Sequence, residues 1–251
     1  MTATRQWSEE LAAWAIDPEL LAAAPESPYG FPVGLFGGAE GAAATRQVLQ
    51  DVAPATLLDV GCGGGAASVG VGAGELWGVD ESADLLAAFQ EAAGGTPVRS
   101  WQGRWPDVAA DVPVADAVVC ADVVYNVPEV EAFVAELTRH ARSRVVVELT
   151  DAHPWTSMAG LWRHVHGQER PSGPTAALFG DVLVELGIRA QSVTWPRWDP
   201  WRGAPDDVVL AFTRRRLCLP ASRDPEVADA MARYADDRPR TGTTYWWDGA
   251  G

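Results

Sequence analysis

The sequence predicts an α/β protein, a mostly parallel sheet with helices on both faces. Three observations predict it. Between residues 56 and 150, short apolar segments alternate with amphipathic segments of helical length, which calls for parallel strands joined by right-handed crossovers. Arg144 to Leu149 (RVVVEL) is apolar enough to be buried on both faces, as a central parallel strand is. Thr56 to Val60 runs straight into Gly61-Cys62-Gly63-Gly64-Gly65, a loop that tolerates positive φ and lets a ligand approach bare backbone. At 251 residues and 47% apolar composition, the chain fits one α/β domain with a full core and extra elements.

The elements follow in order. Residues 1–54 form a helical amino-terminal cap or lid: Trp7 to Ala15 has helical spacing, Pro18-Glu19-Leu20-Leu21 starts a second helix, residues 25–32 are a loop, and Ala42 to Val52 leads into the first strand. Residues 55–217 form the core. Its strands are Thr56 to Val60, Leu76 to Val79, Pro97 to Trp101, Ala115 to Cys120 and Arg144 to Leu149. A short helix-like stretch is expected between the first two, and helices over Ser82 to Ala93 and Val130 to Ala141. A helical insert spans about 155–187, with helices over Trp155 to His166 and Thr175 to Leu186, the latter ended by Gly187. Ile188 to Trp195 and Asp207 to Arg214 are read as the two final strands, and 218–251 as a carboxyl-terminal extension with one helix, Pro225 to Ala235.

Two carboxylates flank the glycine loop. Asp80 ends the second strand, where it could accept two hydrogen bonds from vicinal ribose hydroxyls. Asp59 lies two residues before the first glycine. The string Gly61-x-Gly63-x-x-Ala66 also fits a dinucleotide fingerprint, but a carboxylate at Asp59 would repel a diphosphate and suit a ligand carrying an amino group and a sulfonium. The stretch LLDVGCGGG followed by GVD closely resembles the first two motifs of class I S-adenosylmethionine (SAM)-dependent methyltransferases. The run CADVVYNV resembles the matching segment of the small-molecule, ubiquinone/menaquinone-type members.

That resemblance implies a Rossmann-like, seven-stranded sheet with an antiparallel last strand, and SAM as cofactor. It assigns Gly61, Cys62 and Gly63 to the methionine moiety through backbone atoms, Asp59 to its amino group directly or through water, and Asp80, with Glu81 beside it, to the ribose. The third motif of such enzymes usually presents an acidic residue to adenine; here that position holds Arg104. Trp105 either covers the adenine face or packs in the core. Ala121, Asp122 and Tyr125 follow the fourth strand and are expected nearer the ligand than Asp116, with Asp122 and Tyr125 toward the acceptor. Tyr29 and Phe31 either fold over the cofactor as a lid or belong to a plain proline-rich connection.

His153 is the candidate general base, because histidine alone titrates near neutral pH unperturbed; the alternative is a histidine bonding backbone before a helix start. Trp155, Trp162, Trp195, Trp198 and Trp201 either form an aromatic acceptor pocket or pack helices on the sheet. His164 and His166, two apart, do not share a helix face, and Cys62, Cys120 and Cys218 lack paired spacing, so no metal site is expected.

All 19 basic residues are arginine, and the net charge is −15. An acidic surface repels phosphate backbones, which argues against nucleic-acid partners, and the Asn/Asp-Pro-Pro-aromatic motif of amine-nitrogen methylation is missing. The Arg214-Arg215-Arg216 run is read as the decorated end of a strand. With no apolar run of spanning length and no basic-then-apolar start, a cytoplasmic monomer or homodimer off the membrane is expected. The expected activity is methyl transfer from SAM to the oxygen or carbon of a small-molecule acceptor. The rivals are a protein or ribosomal-RNA methyltransferase, a non-catalytic SAM binder, and a nicotinamide-dependent oxidoreductase.

Overall fold

In the computed structural model, which describes residues 1–36, 42–197, 204–234 and 240–251, seven strands form one sheet. They are β1 (Thr56–Val60), β2 (Glu75–Asp80), β3 (Val98–Gln102), β4 (Ala115–Ala121), β5 (Ala141–Thr150), β6 (Gln191–Arg197) and β7 (Arg240–Asp248). Their order is β3-β2-β1-β4-β5-β7-β6. The first five run parallel, with Leu57 opposite Leu76 and Val118 opposite Val145. Strand β7 inserts antiparallel between β5 and β6, with Val147 opposite Tyr245 and Val193 opposite Thr244. This is the Rossmann-like methyltransferase fold, and the sheet order reverses direction beside β1, where open α/β sheets form a ligand crevice.

The helices are α1 (Ala3–Ala12), α2 (Pro18–Ala23), α3 (Val33–Phe36), α4 (Ala43–Gln50), α5 (Ala83–Ala92), α6 (Val130–Arg139), α7 (Ala159–His166), α8 (Ala176–Glu185), α9 (Asp206–Arg216) and α10 (Asp224–Tyr234). Four begin at side chains that satisfy early backbone donors: Thr2 caps α1, Asp17 caps α2, Ser82 caps α5 and Thr175 caps α8. Both sheet faces are covered because both carry apolar side chains. One core joins Leu58, Val60, Val118 and Val147 to Trp7, Phe133 and Phe179 of α1, α6 and α8. The other joins Leu57, Val119 and Val146 to Leu49 and Phe89 of α4 and α5. A third cluster, around Trp162, Leu217 and Val227, packs α7, α9 and α10 together. Trp7 is fully buried, stacked on Tyr125 at 5.6 Å, with its indole N–H donating to the Val127 carbonyl at 2.9 Å; the amino-terminal cap is anchored in the main core.

Three expectations are corrected. The β1–β2 connection, 61–74, carries turns and no helix. Gly70 and Gly72 sit at φ +80° and +96°, outside the helical region, and glycine costs about 1 kcal/mol per helical residue. The expected strand Asp207 to Arg214 is helix α9. Its valine pair suggested a strand, but Pro205 before it, Asp206 and Asp207 in its first turn and three arginines in its last match the helix dipole. The seventh strand is therefore Arg240–Asp248, so residues 218–251 are no appendage to a core ending at 217. Its β-branched and aromatic residues suit a strand, and Thr244 and Trp247 are buried. Trp198, Trp201 and Ala235 lie outside the described residues.

Candidate active site

A cavity of about 930 Å³ opens at the carboxyl ends of the parallel strands. Its floor at β1 is the glycine loop. Gly61 and Gly63 adopt φ +70° and +52°, and a Cβ added at Gly63 would meet only the Phe36 carbonyl, at 3.6 Å. The loop holds itself in place. The Gly61 and Cys62 amides both donate to the Val79 carbonyl, Gly64 donates to the Phe36 carbonyl at 3.0 Å, and Gly65 donates to Cys62 at 2.7 Å. Helix α3, four residues ending at Phe36, is thus pinned over the loop by backbone contact.

Asp80 closes this end. One carboxylate oxygen accepts the Gly63 amide at 3.0 Å and the other accepts the Ser82 amide at 2.9 Å, so the carboxylate is oriented with acceptor capacity to spare. Glu81 stands beside it on the cavity wall, as do Ala121 and Asp122 after β4. Arg104 also lines the cavity and reaches Glu129 at 3.8 Å. Trp105 answers to both of its readings. It lines the cavity, and it is buried in the main core with its ring edge-on to His140 at 4.8 Å.

Two of the expected cofactor residues do not line the cavity with their side chains, which for Cys62 leaves the expected backbone contact untouched. Asp59 is 1% exposed, its carboxylate accepting the Ser68 hydroxyl at 2.5 Å. Burial, with Asp80 and Glu148 adding repulsion, pushes its pKa up to about 7 despite the Ser68 bond. Its hydrogen bond is to Ser68, in the turn that follows the glycine loop. Cys62 is buried in the second core, its sulfur 3.0 Å from where a Cβ on Gly78 would lie. Burial and the neighbouring Asp59 and Asp80 hold its thiol well above the ordinary range.

Much of the remaining lining is aromatic. Tyr29 stacks on Trp155 at 5.8 Å, and Phe31 meets Phe36 edge-on at 5.1 Å. Tyr125 presents its ring, its hydroxyl being committed to the Thr150 carbonyl at 2.6 Å. The Asp122 carboxylate is held by Arg197 at 2.5 Å, and Arg197 also reaches Glu148 at 3.4 Å. Glu148 is buried, accepts the Thr45 hydroxyl at 2.5 Å and is driven upward in pKa by burial and by Asp122. This network ties β4, β5 and β6 to α4 behind the site.

His153 lines the cavity, and its contacts favour the alternative reading, a histidine bonding backbone before a helix start. The ring stacks on Trp14 at 4.1 Å, and Nδ1 accepts the Trp155 amide at 3.2 Å, capping the helical turn at Pro154–Met158. Burial, reinforced by Arg170 and Arg216, pushes its pKa down to about 3. A neutral imidazole that accepts at Nδ1 carries its proton on Nε2, so His153 is a donor. Its ring is expected to show no NMR titration between pH 5 and 8, and His153→Gln should leave any activity limb near pH 6.5 unmoved; a His153 titration in that window would restore the base.

Several cavity residues were not singled out by sequence, among them Trp14, Phe36, Arg215 and Arg216. For the arginines the signal was helical period. On α9, Phe212 and Arg216 are four apart and share the buried face. Among the described residues, no group of three or more His, Cys, Asp or Glu could hold a metal ion, and no helix is long and apolar enough to cross a membrane.

Residues 58–147 match the family model described as a methyltransferase domain. The fold is similar to the YcgJ protein from Bacillus subtilis (TM-score 0.52, 16% identity, covering 84% of this chain and 100% of that one). It is also similar to the magnesium protoporphyrin IX methyltransferase ChlM from Synechocystis PCC 6803, solved with bound S-adenosylhomocysteine (SAH) (TM-score 0.52, 14% identity, covering 86% and 91%). No curated protein matches the chain.

Proposed function

We propose that this chain, a class I SAM-dependent methyltransferase, transfers the methyl group to the oxygen or carbon of a small molecule. The residues at the β1–β2 end fit the cofactor. Two glycines offer bare backbone beside a carboxylate already oriented by two amides, as ribose hydroxyls require. When bound, SAM supplies a methyl carbon activated by its sulfonium. Gly61 and Gly63 would lie along its methionine moiety, Asp80 would hold its ribose, and Trp105 would cover its adenine.

The observation that supports the acceptor class is the aromatic lining of the cavity. The glycine loop and the aromatic wall of Trp14, Phe31 and Trp155 share one space, roofed by the segment 29–36. Such a lining suits a small molecule with a flat or apolar body, which it would hold near the methyl carbon. Titrating groups take little part: His153 is a neutral donor and Asp122 is locked by Arg197. The surface charge of −15 supports the same reading by disfavouring RNA.

The test is incubation with methyl-labelled SAM and separated small-molecule, protein and ribosomal-RNA fractions, followed by mass spectrometry. Label in a small molecule is expected; label only in protein or RNA would replace this reading. Asp80→Ala should weaken SAH binding by about 1–3 kcal/mol, as for hydrogen bonds to a charged group, measured by calorimetry. Unchanged affinity would remove Asp80 from the cofactor site.

A further inference from the structure

The cavity is electrically two-ended. Asp80 and Glu81 line it at the end of β2, whereas Arg215 and Arg216 of α9 line it beside Phe31 and Trp155. At the far end Arg216 is 3% exposed yet lines the cavity. Its guanidinium lies 5.0 Å from the Phe31 ring centroid, 4.7 Å from Trp155 and 4.8 Å from Phe212. It makes no ion pair and no hydrogen bond with any described residue, and its Nε is buried without a partner.

Arg170, Arg214 and Arg215 also have a buried Nε that makes no hydrogen bond, but each has another interaction. Arg214 pairs with Asp224 at 3.0 Å, Arg215 donates to the Gly30 carbonyl at 2.5 Å, and Arg170 donates to the Trp14 carbonyl. Arg216 alone of these four presents an uncommitted fork to the ligand space. A guanidinium does not shed its proton at neutral pH, so the charge stays where burial makes it costly. Three ring faces offset part of that cost. They supply no oxygen for the five N–H donors.

We propose that Arg216 is the anion-binding residue of the acceptor site, and that the methyl acceptor is an aromatic or apolar small molecule bearing a carboxylate. This rests on the reading of the aromatic end as the acceptor side. One free planar fork matches one carboxylate, two parallel N–H···O bonds in one plane. A phosphate dianion would call for further free donors; Arg170 donates to two backbone carbonyls and does not line the cavity, and Arg215 has one terminal nitrogen committed to Gly30. The same charge depresses the His153 pKa, and burial together with Arg215 pushes that of Arg216 itself down to about 10, so an added negative charge relieves both groups. The Nε2–H of His153, on the same wall, is a second donor for the acceptor.

The test uses SAH-loaded protein and three probes: benzoate, phenylacetate and indole-3-acetate, each against its primary amide, with phenyl phosphate as a further arm. Binding is read by calorimetry and by quenching of tryptophan fluorescence. At least one acid is expected to bind about tenfold or more tighter than its amide. Arg216→Gln should erase that preference while SAH affinity holds, and Arg216→Lys should retain part of it. Equal affinity of every acid and its amide in the wild type, binding of none of them, or stronger binding of phenyl phosphate would overturn the proposal, and none of these needs a variant that folds. Failure of the wild type to bind SAH is the separate result that removes the proposed function.

Discussion

Gly61→Ala should abolish measurable SAH binding while the sheet still folds. Gly61 sits at φ +70°, where an L-residue costs roughly 1–2 kcal/mol. An added Cβ would fall inside contact distance of Val123 Cγ2 and 3.4 Å from its Cβ and Cγ1. Valine is stiff at χ1, so the backbone must move, at a further cost of about 1–3 kcal/mol. Both residues line the cavity, so the displacement falls on the ligand space. Gly94 provides the control. Its φ is +61°, but nothing lies within 4 Å of an added Cβ. Gly94→Ala should therefore show the backbone cost in thermal stability and leave SAH binding intact. If the two variants bind SAH equally well, the steric argument at the loop fails.

The second large effect concerns pH. Asp59 has a folded pKa of about 7 against an ordinary 3.8. Between those values the folded chain keeps a proton that the unfolded chain has released. Stability from this group is therefore lost as pH rises from about 4 to 7, and the full penalty stands above 7. At about 1.4 kcal/mol per unit, the ceiling is about 4 kcal/mol. Asn at this position keeps an acceptor for Ser68 and carries no charge. Asp59→Asn should match the wild type in denaturant unfolding at pH 4 and exceed it by a few kcal/mol at pH 8. The difference between the two proteins is the readout, because Asp116 and other depressed carboxylates tilt the absolute curve the opposite way. A constant difference across that range would place the Asp59 charge in contact with water.

Much of this site was legible in the chain because its chemistry is local. A glycine loop after an apolar strand, and an acid at the tip of the next, are set by neighbours in sequence. The chain was less decisive where partners are distant. Asp59 looks the same in sequence whether it meets a ligand or Ser68. His153 titrates near 6.5 in isolation, and only the packing of Trp14, Arg170 and Arg216 around it removes that capacity. The run Val208-Val209-Leu210 is as apolar as a strand; the charges at the two ends of α9 favour a helix, and that helix packs against α10.

From the amino-acid order alone came the alternation of strands and helices, the bend that admits a cofactor, and the carboxylate waiting beside it. Tertiary structure decided which strand fills the seventh place, which acid turns inward, and which arginine is left without a counter-charge. The physical reason is range. Backbone preference acts over a few residues, whereas burial and Coulomb interaction depend on what the rest of the fold brings within a few ångströms.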